Sequence, residues 1–172
     1  MPFESVKPIL LVRMLIGASS YYCAVAADYT FKLQNTRDLP KEGVISIQMP
    51  YNWTKHVFRF GSRISSLYGE FTTEKLIYNA LFITEPNYMT LVKIQIFFEW
   101  PAGQQLIIKF DNLLNPKTPF TTGNFRVYTE YDSKILDQSR PEPSELENYL
   151  NKNENPPDLA LDPKYVALGI EY

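Results

Sequence analysis

From Met89 to Asn112 apolar and polar side chains change places at almost every residue. Thr90, Val92, Ile94, Ile96, Phe98 and Trp100 share one face of an extended chain, with Lys93, Gln95 and Glu99 on the other. Beyond Pro101-Ala102-Gly103, Leu106, Ile108 and Phe110 alternate with Ile107, Lys109 and Asp111. Successive side chains of a strand point to opposite faces, so a period of two with one apolar face specifies a sheet packed against a core. The Pro-x-Gly connector between the two arms predicts an antiparallel hairpin.

The same alternation recurs along the chain. Tyr21, Cys23, Val25, Ala27, Tyr29, Phe31 and Leu33 mark a long strand from Tyr21 to Gln34. Asp38 to Gly43 turns the chain, Ile45, Ile47 and Met49 mark the next strand, and Pro50 ends it. Lys55 to Leu67 is mixed, with Val57, Phe58 and Phe60 among Arg59 and Arg63. Lys75 to Ile83 reads as a buried strand, and Phe125, Val127, Thr129 and Tyr131 give one face of a strand within Gly123 to Asp132. Twelve Tyr and eleven Phe against two Trp, with plentiful Ile, Val and Thr, favour strands over helices. The expectation is an all-β antiparallel β-sandwich of about eight strands, immunoglobulin-like or jelly-roll-like. A chain of 172 residues buries roughly 70% of its extended surface, enough for a core without metal or disulfide.

Both ends differ from this middle, which divides the chain into residues 1–20, a sandwich over 21–138 and a tail over 139–172. At the N-terminus Val6, Leu10, Val12, Met14 and Ile16 fall on one face of an extended strand and Ile9, Leu11 and Leu15 on the other. Apolar groups on both faces imply that both are covered. A cleaved signal is the rival reading, with Ala24-Val25-Ala26 as its cleavage site, but Arg13 interrupts its apolar region and Glu4 weakens its basic start. The C-terminal tail carries five of the thirteen prolines, a capping box at Ser144-Glu145-Leu146-Glu147, and an apolar stretch from Tyr165 to Ile170. No run reaches the roughly 18 apolar residues of a membrane span.

Little here carries reaction chemistry. His56 and Cys23 are the sole residues of their types, so the common zinc ligand sets and His-dependent nucleophile arrangements cannot be assembled, and no intrachain disulfide forms. Cys23 lies in the alternating series and reads as a small core side chain. Glu70, Glu74, Glu85, Glu99 and Asp111 are candidate carboxylates for a glycosidase pair, and no pair stands out among them. Asp38, Glu42, Asp111 and Asp132 lack the close spacing of a calcium loop. The expectation is a non-enzyme without cofactor. A formal charge of −2 without a basic block argues against nucleic-acid binding. Asn52-Trp53-Thr54 is an acceptor sequon for an N-linked glycan, and Thr118, Thr121 and Thr122 are candidate O-linked acceptors beside Pro116 and Pro119. Tyr51, Trp53 and Tyr68 are candidate stacking platforms for a sugar.

In order along the chain stand Tyr29-Thr30-Phe31, Pro40 with Gly43, Ile45-x-Ile47-x-x-Pro50, Asn115-Pro116, and Phe125-x-Val127-x-Thr129-x-Tyr131-Asp132. This succession resembles the β-sandwich modules repeated in large surface and secreted proteins of ciliates and related protists. The resemblance covers about Tyr21 to Gln138, and departs from that pattern in standing as a single copy without the cysteines some such modules carry. It implies a place outside the cell or on its surface. The leading expectation is a glycosylated structural subunit of a coat or fibre, self-associating as a homo-oligomer or filament. Strand addition between copies would use Val6, Ile9, Leu10, Leu11, Val12, Met14 and Ile16, or Tyr165, Val166, Leu168 and Ile170. Such head-to-tail contacts do not close and so build filaments. The alternatives are a surface adhesion or carbohydrate-binding module, and a lineage-specific subunit of an intracellular assembly. On either extracellular reading, the Asn52 peptide from natural material carries sugar mass in tandem mass spectrometry; an unmodified peptide would favour the intracellular one.

Overall fold

The computed structural model describes residues 13–20, 22, 24–49, 58–84, 90–115 and 125–138. Nine strands lie among them: β1 (Arg13–Ala18), β2 (Ala26–Gln34), β3 (Val44–Gln48), β4 (Phe58–Gly69), β5 (Tyr78–Thr84), β6 (Thr90–Ile96), β7 (Gln105–Leu114), β8 (Arg126–Tyr131) and β9 (Lys134–Gln138). They form two antiparallel sheets, a four-stranded one in the order β1-β2-β7-β4 and a five-stranded one in the order β5-β6-β3-β8-β9. The all-β sandwich expected from the alternation is the architecture observed.

The faces follow the period-two reading. Tyr29, Phe31 and Leu33 of β2 and Leu106, Ile108 and Phe110 of β7 point inward, against Ile45 and Ile47 of β3, Val92, Ile94 and Ile96 of β6 and Val127 of β8. Phenyl rings bind one sheet to the other. Phe31 meets Phe110 edge-on at 5.3 Å between centroids and Phe125, at the start of β8, at 5.6 Å. Phe110 lies 6.2 Å from Phe82 of β5, whose ring stacks on Phe58 of β4 at 4.7 Å. Edge-to-face and offset rings each add about 0.5–1.5 kcal/mol beyond the area they bury.

The expected hairpin of Met89 to Asn112 does not form. β6 belongs to the five-stranded sheet and β7 to the four-stranded one, so the Pro101-Ala102-Gly103 turn carries the chain from layer to layer. The cause is Trp100, which is fully buried and bridged to Leu39 by backbone bonds of 2.9 Å in each direction. Its indole N–H donates to the Gln104 carbonyl at 2.8 Å. Burying that ring ends the pairing of the β6 arm and turns the chain into the other sheet. Nor is the strand within Lys75 to Ile83 buried: β5 is an edge strand whose neighbour Ile77 and central Leu81 are 60% and 61% exposed.

The sandwich extends past the expected boundary at Tyr21. β1 pairs with β2 of its own chain from Arg13↔Gln34 to Ala18↔Tyr29. Met14 is buried and Ile16 packs on the core, whereas Leu15, on the face expected to be covered, is 67% exposed. β9 also falls outside the sequence reading. Asp132 and Ser133 take positive φ values of 52° and 65°, the conformation of a tight two-residue hairpin turn, and return the chain beside β8.

Buried polar side chains tie the loops to these sheets. The fully buried Asp137 carboxylate accepts from Thr36 Oγ1 at 2.6 Å and from the Thr36 and Arg37 amides at 3.0 Å each. Asn115 accepts from the Tyr29 hydroxyl and donates through Nδ2 to the Ser20 and Tyr22 carbonyls at 2.9 and 2.8 Å. Removing one partner of such a set strands the rest without water. Asp137→Ala is expected to cost about 3 kcal/mol and Asn115→Ala about 2 kcal/mol, read as lower urea midpoints with unchanged slopes.

Candidate functional site

The outward surface of the four-stranded sheet is set by a fault in the alternation of β4. Ile64 sits opposite Phe110 and faces the core, and with strict period two Ser66 and Tyr68 would face it as well. The ladder between β4 and β7 instead shifts between Ile64 and Ser66. One extra residue on one strand exchanges the two faces beyond it. Leu67 therefore turns inward opposite Ile108, and Tyr68 turns outward opposite Ile107 with its side chain 40% exposed. Ser65 sits in the bulge, its hydroxyl donating to the Lys109 carbonyl at 3.3 Å.

The bulge completes a row. Leu15, Lys32, Ile107 and Tyr68 are direct cross-strand neighbours over β1, β2, β7 and β4, spanning roughly 14 Å at the usual strand spacing. Beside it run Gly17, Thr30, Lys109 and Ser66. Ile107 is nearly covered by its neighbours, and the Lys109 ammonium lies 5.8 Å from the centre of the Tyr68 ring. A cation there is attracted to the negative ring face, by about 0.5–1 kcal/mol at an exposed site. Arg63 and Asp111 form an exposed pair at 3.3 Å, worth little in stability. Asp28 accepts from the Asn112 amide at 3.1 Å. The result is an open sheet face on which Leu15 and Tyr68 stand exposed at the two ends of the row, with Lys32 between them, the Lys109 ammonium at the ring, and polar groups along the flank.

The five-stranded sheet presents a different exterior. There the Arg126 guanidinium lies over the Tyr128 ring at 5.1 Å, and both side chains are half-buried. Ser46 and Gln138 in the same outward row are buried. Tyr68 is thus the exposed ring in the outward rows of the two sheets, while Tyr131, 42% exposed, ends β8 beside the turn into β9.

Of the three aromatic platforms expected from sequence, Tyr68 stands on this surface, while Tyr51 and Trp53 lie outside the described residues. So do Asn52, Cys23, His56, Glu85, Thr118, Thr121 and Thr122, and with them Val6, Ile9, Leu10, Leu11, Val12, Tyr165, Val166, Leu168 and Ile170. Met14 and Ile16, expected at a contact between copies, point into the core of their own sandwich. Glu70, Glu74 and Glu99 are exposed, Asp111 is paired with Arg63, and Asp38 accepts from the Ala102 amide at 2.6 Å. Among the described residues no three His, Cys, Asp or Glu side chains are grouped to hold a metal ion. Lys32, Lys109 and Leu15 escaped sequence reading because their company depends on strand order and on the bulge.

No protein-family model matches the chain, and no curated protein does. Among solved structures, it is similar to the family 3b carbohydrate-binding module of the cellulosomal cellobiohydrolase 9A from Clostridium thermocellum. That likeness has a TM-score of 0.46 and 14% identity, over 73% of this chain and 93% of that one. The family 3b carbohydrate-binding module of the Clostridium clariflavum biomass-sensoring system gives 0.44 and 11%, over 80% of this chain and all of that one. The family 3b module of a Bacteroides cellulosolvens scaffoldin gives 0.38 and 14%, over 81% and 99%.

Deleting Ser65 removes the bulge and sets Leu67 and Tyr68 on the wrong faces, an expected loss of about 3 kcal/mol or more in urea unfolding. Ser65→Ala keeps the residue count and is expected to cost less than about 1 kcal/mol.

Proposed function

We propose that this chain is a non-catalytic binding module that holds an extended saccharide on the outer face of its four-stranded sheet, at the cell surface or outside the cell. The observation that carries the reading is the exposed Tyr68 ring at the end of the Leu15–Lys32–Ile107–Tyr68 row. A sugar ring has an apolar C–H face and a rim of hydroxyls, so it stacks on an aromatic side chain and exchanges hydrogen bonds with groups at the side. Lys32 within the row and Lys109 and Thr30 beside it supply those groups. Lys109 is exposed and flexible, so its ammonium can leave the ring face and meet a hydroxyl instead.

The openness of a sheet face selects the ligand. A single sugar on an open sheet buries one side only and gains too little to offset its lost freedom. A chain of sugars reaches along the row and adds contacts without a new association cost for each. Tyr68→Ala is therefore expected to weaken retention of the full chain on its polysaccharide by about tenfold or more in affinity electrophoresis, with the urea midpoint nearly unchanged. Retention undiminished by Tyr68→Ala, or no saccharide bound at all on a polysaccharide panel, would overturn the reading.

A further inference from the structure

Among the described residues four strands edge the two sheets, and three of them carry charge: β1 has Arg13, β4 has Arg59 and Arg63, and β9 has exposed Lys134. Charge, bulges and short length are the ordinary means of keeping a sheet edge from pairing with another chain. β5 has none of them. Its seven residues, Tyr-Asn-Ala-Leu-Phe-Ile-Thr, contain no charge, proline or glycine, and they pair with β6 without a register shift from Tyr78↔Ile96 to Thr84↔Thr90. Asn79, Ala80 and Leu81 are all exposed, and no described strand pairs with the other side.

The backbone parity of that edge is fixed. Phe97 N–H donates to Ile77 O at 2.9 Å, while Ile96 N–H turns away from β5 to Gly43 O at 2.9 Å. Antiparallel ladders alternate bonded and non-bonded pairs, so Asn79, Leu81 and Ile83 exchange bonds with β6. Tyr78, Ala80, Phe82 and Thr84 then direct their N–H and C=O groups to the open side. We propose that this edge pairs with the β5 of a second copy, antiparallel and about a two-fold axis at Leu81, joining two five-stranded sheets into one of ten.

The register is the one that uses every outward group: Ala80 opposite Phe82 of the copy and Tyr78 opposite Thr84, with about eight bonds between the chains. Leu81 falls on the axis in a non-bonded pair, where opposed side chains come closest, and its 61% exposed isobutyl group is covered by its own counterpart. Exposed Ala80 leaves room on the core face for the Phe82 ring across from it. The strand is uncharged, so self-pairing sets no like charges against each other. A contact of one strand per chain lies at the small end of specific interfaces, so the dimer is reversible.

Sedimentation velocity of the full chain tests this. The weight-average mass is expected to climb from one chain toward two between roughly 1 and 300 μM, the range of a small, reversible interface. Leu81→Lys sets two ammonium groups together on the axis and is expected to weaken the dimer by about tenfold or more. Ala80→Pro removes an outward N–H that β6 does not use, and weakens it as well. Mixing Leu81→Lys with Leu81→Glu restores a dimer of the two. A single-chain mass throughout the range overturns the proposal, as do a dimer that neither variant weakens and a failure of the charge-swapped pair to recombine.

Discussion

Two sheets with polar exteriors stay together only if their inner faces interlock, and here phenyl rings provide the interlock. Phe125 leans on Phe31, Phe31 on Phe110, Phe110 on Phe82 and Phe82 on Phe58, a path that passes from β8 through the four-stranded sheet to β5 and back to β4. Each contact in this path joins two rings that lie far apart in the sequence. The rings are flat, stiff and large, so their packing leaves few alternative arrangements of the sheets. Trp100 and Leu39 close one end of the sandwich, and Asn115 with Tyr29 ties a loop down at another position. With the layers held in this way, the outer faces are free of structural duty and can carry function.

The two exteriors differ. On the four-stranded face one added residue in β4 decides the surface, because it turns Tyr68 to solvent and Leu67 to the core. Bulges occur where a strand must re-aim a side chain, and this one places an aromatic ring at the end of the Leu15–Lys32–Ile107–Tyr68 row. The five-stranded sheet keeps Tyr128 half-buried under Arg126 on its outer face and has an uncharged edge at β5. The proposed ligand face on one layer and the proposed pairing edge on the other do not share residues.

Most of the sandwich is legible in the sequence because burial on one face imposes period two, and Phe31, Ile45, Ile94, Ile108 and Val127 all fall where the alternation puts them. What escapes is whatever depends on contacts distant in sequence. The Pro101-Ala102-Gly103 turn has the chemistry of a hairpin, yet the buried Trp100 makes it a passage between sheets. The apolar string of β5 reads as buried, since a sequence does not say which strand lies at the edge. Lys55 to Leu67 reads as mixed, and over its described part the ladder of β4 on β7 shifts twice, between Phe58 and Arg63 and between Ile64 and Ser66. The second shift hid the candidate site: Tyr68 stood out as an aromatic, but its neighbours Lys32, Ile107 and Lys109 belong to strands far away in the chain.

The central claim is that the surface exposed by the β4 bulge is the one that meets the ligand. Its most direct measurement is a titration of the isotopically labelled full chain with soluble oligosaccharides of increasing length, followed by amide and aromatic NMR shifts. The account predicts saturable shifts centred on Lys32, Ile107, Tyr68 and Lys109, growing with oligosaccharide length. Shifts centred on the five-stranded sheet, or none for any saccharide, would contradict it.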